Sequence, residues 1–145
     1  MRLTTFSDYS LRVLIYLATD PDRRATIAEI AKAFDVSENH LMKVVHFLGK
    51  AGWLRNVRGK GGGLELAHAP ADIRIGAVIH ACETQLPAEC FDRDTNTCVI
   101  TGACKLRHVL AEATATFYEA LDRYTLADIT GNHRALARIL LRPAA

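Results

Sequence analysis

The sequence predicts a mainly α-helical protein with one small β-hairpin: a winged helix-turn-helix followed by a long dimerisation helix. Three observations predict it. Two short amphipathic helices, beginning at Thr26 and at about Glu38, stand about three residues apart near the N-terminus. A basic, glycine-rich tip, Arg58-Gly59-Lys60-Gly61-Gly62-Gly63, separates two strand-like stretches. An apolar stripe at helical spacing then runs from Lys105 to about Arg123.

A first helix is expected over Ser7 to Ala18. Ser7 is a suitable N-cap, Asp8 complements the helix N-terminus, and Leu11, Leu14, Ile15 and Ala18 form one apolar stripe. Asp20-Pro21-Asp22 ends it. The second helix starts at the capping-box pattern Thr26-Ile27-Ala28-Glu29, with Ile27, Ile30, Ala31 and Phe34 facing inwards. Asp35-Val36 turns the chain to Ser37, a second N-cap candidate. The third helix runs to Lys50 on Leu41, Val44, Val45 and Leu48, and Gly52 closes it.

The polar residues at the start of that third helix, Ser37, Glu38, Asn39, His40 and Lys43, are types that hydrogen-bond base edges or phosphates. A solvated polar face is the plain alternative, and helical pattern alone leaves the two even. The hairpin that follows tips the balance. Trp53 to Val57 and Leu64 to Leu66 read as its strands. Arg58 and Lys60 place positive charge at its tip, where Gly61 and its neighbours let backbone approach a surface closely. It lacks the Gly-x-x-x-x-Gly-Lys-Ser/Thr pattern and the following helix of a nucleotide loop. A recognition helix in the major groove, with the hairpin tip on a phosphate or in the minor groove, is the expected use.

A further helix is expected from about Ile75 to Glu83, with Cys82 on its apolar side as a small core residue. The stretch Cys90 to Cys104 holds the other three cysteines, spaced C-x7-C-x5-C among polar, turn-forming residues that could not fill a core. Three thiolates in one loop can converge on a soft metal centre or an iron–sulfur cluster. A disulfide or unrelated thiols are the alternative, but three is an odd number and no pair has C-x-x-C spacing. A fourth ligand would come from another residue, a small molecule or a second subunit. Cys104 precedes the long helix, whose N-terminus favours a thiolate; Lys105, Arg107 and His108 could offset the negative charge of a thiolate-ligated cluster, and a solvated helix start is an equally good reading of them. That helix would extend about 27 Å, too long for so small a domain to cover, so a symmetric homodimer is expected. Thr125-Leu126-Ala127-Asp128 caps a short turn, and Asn132 to Leu141 forms a last helix.

The 145 residues divide into a DNA-binding winged helix-turn-helix at 1–75, a linker helix and cysteine loop at 76–103, and the dimerisation and C-terminal helices at 104–145. Up to Arg74 there are 11 Lys/Arg against 8 Asp/Glu, and 7 against 8 after it, so the basic excess lies where nucleic acid would bind. No apolar run is long enough to span a bilayer and the N-terminus lacks a signal-peptide core, so no membrane partner and a cytoplasmic location are expected. There is no H-E-x-x-H pair, no serine nucleophile elbow and no paired carboxylates in a pocket-like context, which argues against an enzyme.

The opening Met-Arg-Leu-Thr-Thr-Phe-Ser-Asp-Tyr-Ser-Leu-Arg, the wing Val57 to Gly63, the link Ile73-Arg74-Ile75-Gly76 and Tyr124-Thr125-Leu126-Ala127-Asp128 together resemble the NsrR-like iron–sulfur transcription regulators. IscR belongs to the same winged-helix family. The resemblance covers nearly the whole chain. It implies a homodimeric repressor on a palindromic operator, with Cys90, Cys98 and Cys104 holding a 4Fe–4S cluster, a 2Fe–2S form being the alternative. It implies Asp8 of the partner subunit as fourth ligand, and nitric oxide as the signal whose attack on the cluster abolishes DNA binding. In the IscR branch a histidine three residues after the last cysteine is the ligand. Here that position is Arg107, with His108 one further on, which favours the NsrR branch without excluding His108. An IscR-like sensor of cluster supply or redox state and a zinc-stabilised winged-helix protein are the other readings.

Overall fold

The computed structural model describes residues 2–142; Met1, which opens the N-terminal motif, and residues 143–145 lie outside it. Among the described residues the order is α1 (Thr5–Thr19), α2 (Ile27–Phe34), α3 (Glu38–Lys50), β1 (Leu54–Val57), β2 (Gly63–Leu66), α4 (Ile75–Cys82), α5 (Lys105–Asp122), α6 (Leu126–Ile129) and α7 (His133–Leu140). Single 3-10 turns occupy Pro70–Asp72 and Glu89–Phe91. The result is the expected mainly helical winged helix-turn-helix with one small hairpin.

Helix α1 is the axis of the core, packing against α2, α3, α4, α6, α7 and β2. Neighbours on so many sides bury more of it than the single stripe expected from the sequence. Val13, Leu14, Tyr16, Leu17 and Ala18 are all buried, whereas Leu11 and Ile15 are only partly covered. Burying one such aliphatic side chain contributes about 1.5–3 kcal/mol.

The start of α1 also differs from expectation. Its N-cap is Thr4, whose Oγ1 accepts the Ser7 N–H at 3.2 Å. Ser7 lies inside the first turn and is completely buried. The helix begins a turn early because Ser7 points inwards and finds a partner from far along the chain, described below.

Helix α2 starts as expected. Thr26 Oγ1 accepts the Glu29 N–H at 3.2 Å, and Glu29 Oε2 accepts the Thr26 N–H at 2.6 Å. It buries Ile30 and Ala31, while Ile27 and Phe34 stay partly exposed. Asp35 in the left-handed region (φ 52°) ends it and aims the chain into α3, which buries Leu41, Val44, Val45 and Leu48.

β1 and β2 pair antiparallel, with Leu54 opposite Leu66 and Val57 opposite Gly63. The hairpin is joined to the helices through Ala25: the Ala25 N–H donates to Leu64 O at 3.1 Å and the Leu64 N–H to Ala25 O at 2.7 Å. Gly63 (φ 140°) makes this approach possible, since a Cβ there would stand 3.0 Å from Ala25 O.

The second half folds back on the first. The Ile75 N–H donates to Tyr124 O at 3.0 Å and the Leu126 N–H to Ile73 O at 2.8 Å. The chain leaving α5 is thereby stitched to the chain entering α4. At Gly76 the two helices come so close that a Cβ would collide with Asp122. Cys82 is 7% exposed and belongs to the core, as its apolar position implied. α5 contains no fully buried residue: Phe117 and Leu121 are partly covered, while Leu106 and Val109 are 61% and 58% exposed. No helix among the described residues is long and apolar enough to cross a membrane.

Candidate functional site

Because α3 turns its aliphatic side inwards, the polar residues of its first turns face out. Ser37, Glu38, Asn39, His40 and Lys43 are all exposed. Ser37 occupies the N-cap position but makes no side-chain capping bond, so its hydroxyl is not committed to the helix. The tip of the hairpin is equally open. Arg58, Lys60 and Gly61 are exposed, and Gly59 (φ 93°) and Gly61 (φ 74°) carry the turn.

Charge on the hairpin is sorted by position. Near its base Glu65 accepts from Arg24 Nε at 2.7 Å and pairs with Arg55 at 3.3 Å. The hydrogen bond from Arg24 is the main cause holding the Glu65 carboxyl below its ordinary range. Arg24 also donates to Gly61 O at 3.2 Å, tying the wing to the turn before α2. Among the described residues Arg58, Lys60 and Lys43 have no carboxylate partner. These cations are available to phosphates.

The cysteine loop is built from its own polar side chains. Cys90 sits in the 3-10 turn Glu89–Phe91, Cys98 in the middle of the loop, and Cys104 at the N-cap position of α5. All three thiols are free and half-buried. Around Cys98, Asn96 Oδ1 accepts the Cys98 N–H at 3.0 Å, Asn96 Nδ2 donates to Thr101 Oγ1 at 3.0 Å, and Thr101 Oγ1 donates to Cys98 O at 2.7 Å. Asp92 accepts from the Asp94 N–H and from Thr95 Oγ1, which hold its carboxyl below the ordinary range. Arg107 Nε donates to Cys90 O at 3.2 Å.

The donor chemistry suits iron or another metal that binds thiolates: three free thiols in one loop, none spent on a disulfide. Their placement is more open. Among the described residues no three His, Cys, Asp or Glu side chains form a group that could hold a metal ion. Asp8 lies in the first turn of α1 and pairs with Arg12 at 2.9 Å. His108 is exposed.

Glu83, the first residue after α4, was not legible as a site residue. Its Oε1 accepts from Ser7 Oγ at 2.6 Å, from the Thr4 N–H at 2.7 Å and from Thr4 Oγ1 at 3.1 Å. Burial pulls the Glu83 carboxyl upwards, but these hydrogen bonds outweigh it and leave it below its ordinary range. The start of the segment leading to the cysteine loop is thus fastened to the helix end that carries Asp8.

A helix-turn-helix beside a hairpin whose tip cations have no carboxylate partner among the described residues defines a class of fold, the winged helix of DNA-binding proteins. The chain belongs to the Rrf2 family, described as iron-dependent transcriptional regulators, whose family model matches residues 3–132. It is 44% identical over 142 residues to the HTH-type transcriptional regulator NsrR of Bacillus subtilis (strain 168), covering 97% of each chain. It is 45% identical over 142 residues to the NsrR of Geobacillus kaustophilus (strain HTA426), again covering 97% of each. Among solved structures it resembles IscR of T. potens, with a TM-score of 0.72 and 27% identity over 91% of this chain and 88% of that one.

Proposed function

We propose that this transcription regulator is an iron–sulfur-dependent repressor that releases its operator on exposure to nitric oxide. The observation that carries the reading is the cysteine loop, with three free, half-buried thiols braced by polar side chains rather than by a core. The family's description as iron-dependent and the NsrR relatives support it. Cys90, Cys98 and Cys104 hold the cluster, 4Fe–4S in this reading, which when bound supplies iron reactive towards nitric oxide. The fourth ligand is the partner subunit's Asp8. Within its own chain Asp8 stands in the first turn of α1 and pairs with Arg12, both side chains well exposed; such a pair is worth about 0–1 kcal/mol, so exchanging that partner costs little.

The remaining parts of the proposal concern this chain's own surfaces. Residues 1–75 bind DNA, 76–103 carry the cluster and 104–145 supply the dimer contact. The exposed Leu106 and Val109 of α5 belong to the face that a second copy covers. Ser37, Glu38, Asn39, His40 and Lys43 read a palindromic operator in the major groove, while Arg58, Lys60 and Gly61 contact its backbone. Glu83 gives the loop a mechanical link to α1, and α1 packs on α3. A change in the loop therefore has a short path to the spacing of the two recognition helices.

The test is anaerobic purification with iron and sulfide analysis, followed by operator binding at fixed salt before and after titration with nitric oxide. Coloured, iron-containing protein that loses operator affinity is expected. Unchanged binding rejects the nitric-oxide reading, and colourless zinc-containing protein rejects the cluster.

A further inference from the structure

We infer that Arg107 is a positioning residue of the cysteine loop, fastening the backbone at Cys90 to the helix end that begins with Cys104. This deepens the function proposed above and rests on it for its purpose, though not for its geometry. Arg107 is the third residue of α5, one turn after the Cys104 N-cap. Its Nε donates to Cys90 O at 3.2 Å, and its guanidinium carbon stands 5.3 Å from the centroid of the Phe91 ring. Two consecutive residues of the loop are therefore held by one side chain. The planar guanidinium suits both tasks at once, a directed hydrogen bond and a ring contact.

Helix stability does not explain this residue. A cation in the first turn of a helix opposes the helix dipole. Nor is Arg107 part of an ion pair among the described residues. It is half-buried, folded towards the loop rather than extended into water. Asn96 and Thr101 brace Cys98 locally, across two to five positions. Arg107 instead spans 17 positions. It closes the chain between the first and last cysteines into a loop, so part of the ordering cost of bringing their segments together is already met.

The test uses the reduced, metal-free full chain in a Cys98→Ser background, so that it reads loop geometry and not cluster activity. Dibromobimane, which joins two thiols, is added and the Cys90–Cys104 product is quantified by peptide mapping. Arg107→Met keeps the aliphatic stem but has no donor. It is expected to slow cross-linking about tenfold, the scale of one charge-assisted hydrogen bond. Arg107→Lys is expected to recover part of the rate. Phe91→Leu, which leaves α5 untouched, is expected to slow it about two- to fivefold through loss of the ring contact. Equal rates for Arg107 and Arg107→Met, or no cross-link with Arg107 in place, overturns the inference. Iron analysis of the natural chain reports on the cluster separately, so the two readings fail independently.

Discussion

The Ser7 hydroxyl donates a 2.6 Å hydrogen bond to the Glu83 carboxylate across 76 positions of sequence. Ser7 is completely buried, so its hydroxyl is cut off from bulk solvent and needs a partner inside the fold. Glu83 also takes the N–H and the hydroxyl of Thr4, the N-cap of α1. A negative charge at that helix end is favoured by the dipole as well as by the hydrogen bonds. Replacing Glu83 by Ala is expected to destabilise the fold by about 2 kcal/mol, which lowers Tm by roughly 4–8 °C in a chain of this size. Glu83→Gln, which keeps an acceptor, should lose less. Thermal unfolding of the reduced protein checks both; an unchanged Tm for Glu83→Ala shows that the clamp contributes nothing to stability.

The same clamp sets a pH dependence. The folded-state pKa of Glu83 is depressed below its ordinary value of 4.5, net of a burial effect in the other direction. A depressed carboxyl contributes stability that is whole above the unfolded pKa and is lost as pH falls through the folded one. Glu29 acts with the same sign, chiefly through its bond from the Thr26 N–H. Unfolding free energy should therefore fall as pH drops below about 4.5. Denaturant titrations at a series of pH values should show a shallower fall for Glu83→Gln than for the natural chain. Identical slopes reject the assignment to Glu83.

The local part of this architecture could be read from sequence and the long-range part could not. The Thr26–Glu29 capping box, the aliphatic face of α3 and the glycine tip of the hairpin are patterns within a few residues, and each formed where expected. Thr4 rather than Ser7 caps α1 because the partner that draws Ser7 inwards is Glu83, far along the chain, and no local period encodes it. The wrapping of α1 on most sides was hidden for the same reason: α4, α6 and α7 reach it from the second half of the chain. In the cysteine loop, spacing marked the three thiols but not their supports. Asn96 and Thr101 look like ordinary turn residues, and Arg107 like a helix-surface cation, until their hydrogen bonds are seen.

On the proposed DNA surface, cation and recognition residues should separate by salt and by sequence. Lys60 is exposed at the wing tip without a carboxylate partner among the described residues. Lys60→Ala should weaken operator and random DNA alike and reduce the slope of log affinity against log salt by about one. Asn39→Ala should instead cost about 1–3 kcal/mol on the operator and relax specificity at one base pair. Fluorescence anisotropy at several salt concentrations, with operator and scrambled duplexes, distinguishes them. Equal losses on both duplexes for Asn39→Ala would remove it from the reading surface.

Asp8 provides the sharpest separation between structural and ligand roles. Its structural partner is Arg12, four positions along α1 at 2.9 Å, with both side chains well exposed. Breaking such a pair changes stability by under about 1 kcal/mol, so Asp8→Ala should melt close to the natural chain, while Arg12→Ala, which also loses its contacts with the Tyr9 and Phe34 rings, should melt lower than Asp8→Ala. The Thr4–Ser7–Glu83 clamp does not include either residue and should survive both changes. If the partner subunit's Asp8 completes the proposed cluster site, Asp8→Ala should retain iron through the three cysteines yet alter the visible circular dichroism and the rate of reaction with nitric oxide. Arg12→Ala, which leaves the carboxylate in place, should retain the natural spectrum. A spectrum unaltered by Asp8→Ala points to a different fourth ligand, and the same measurement on His108→Ala then tests the remaining candidate.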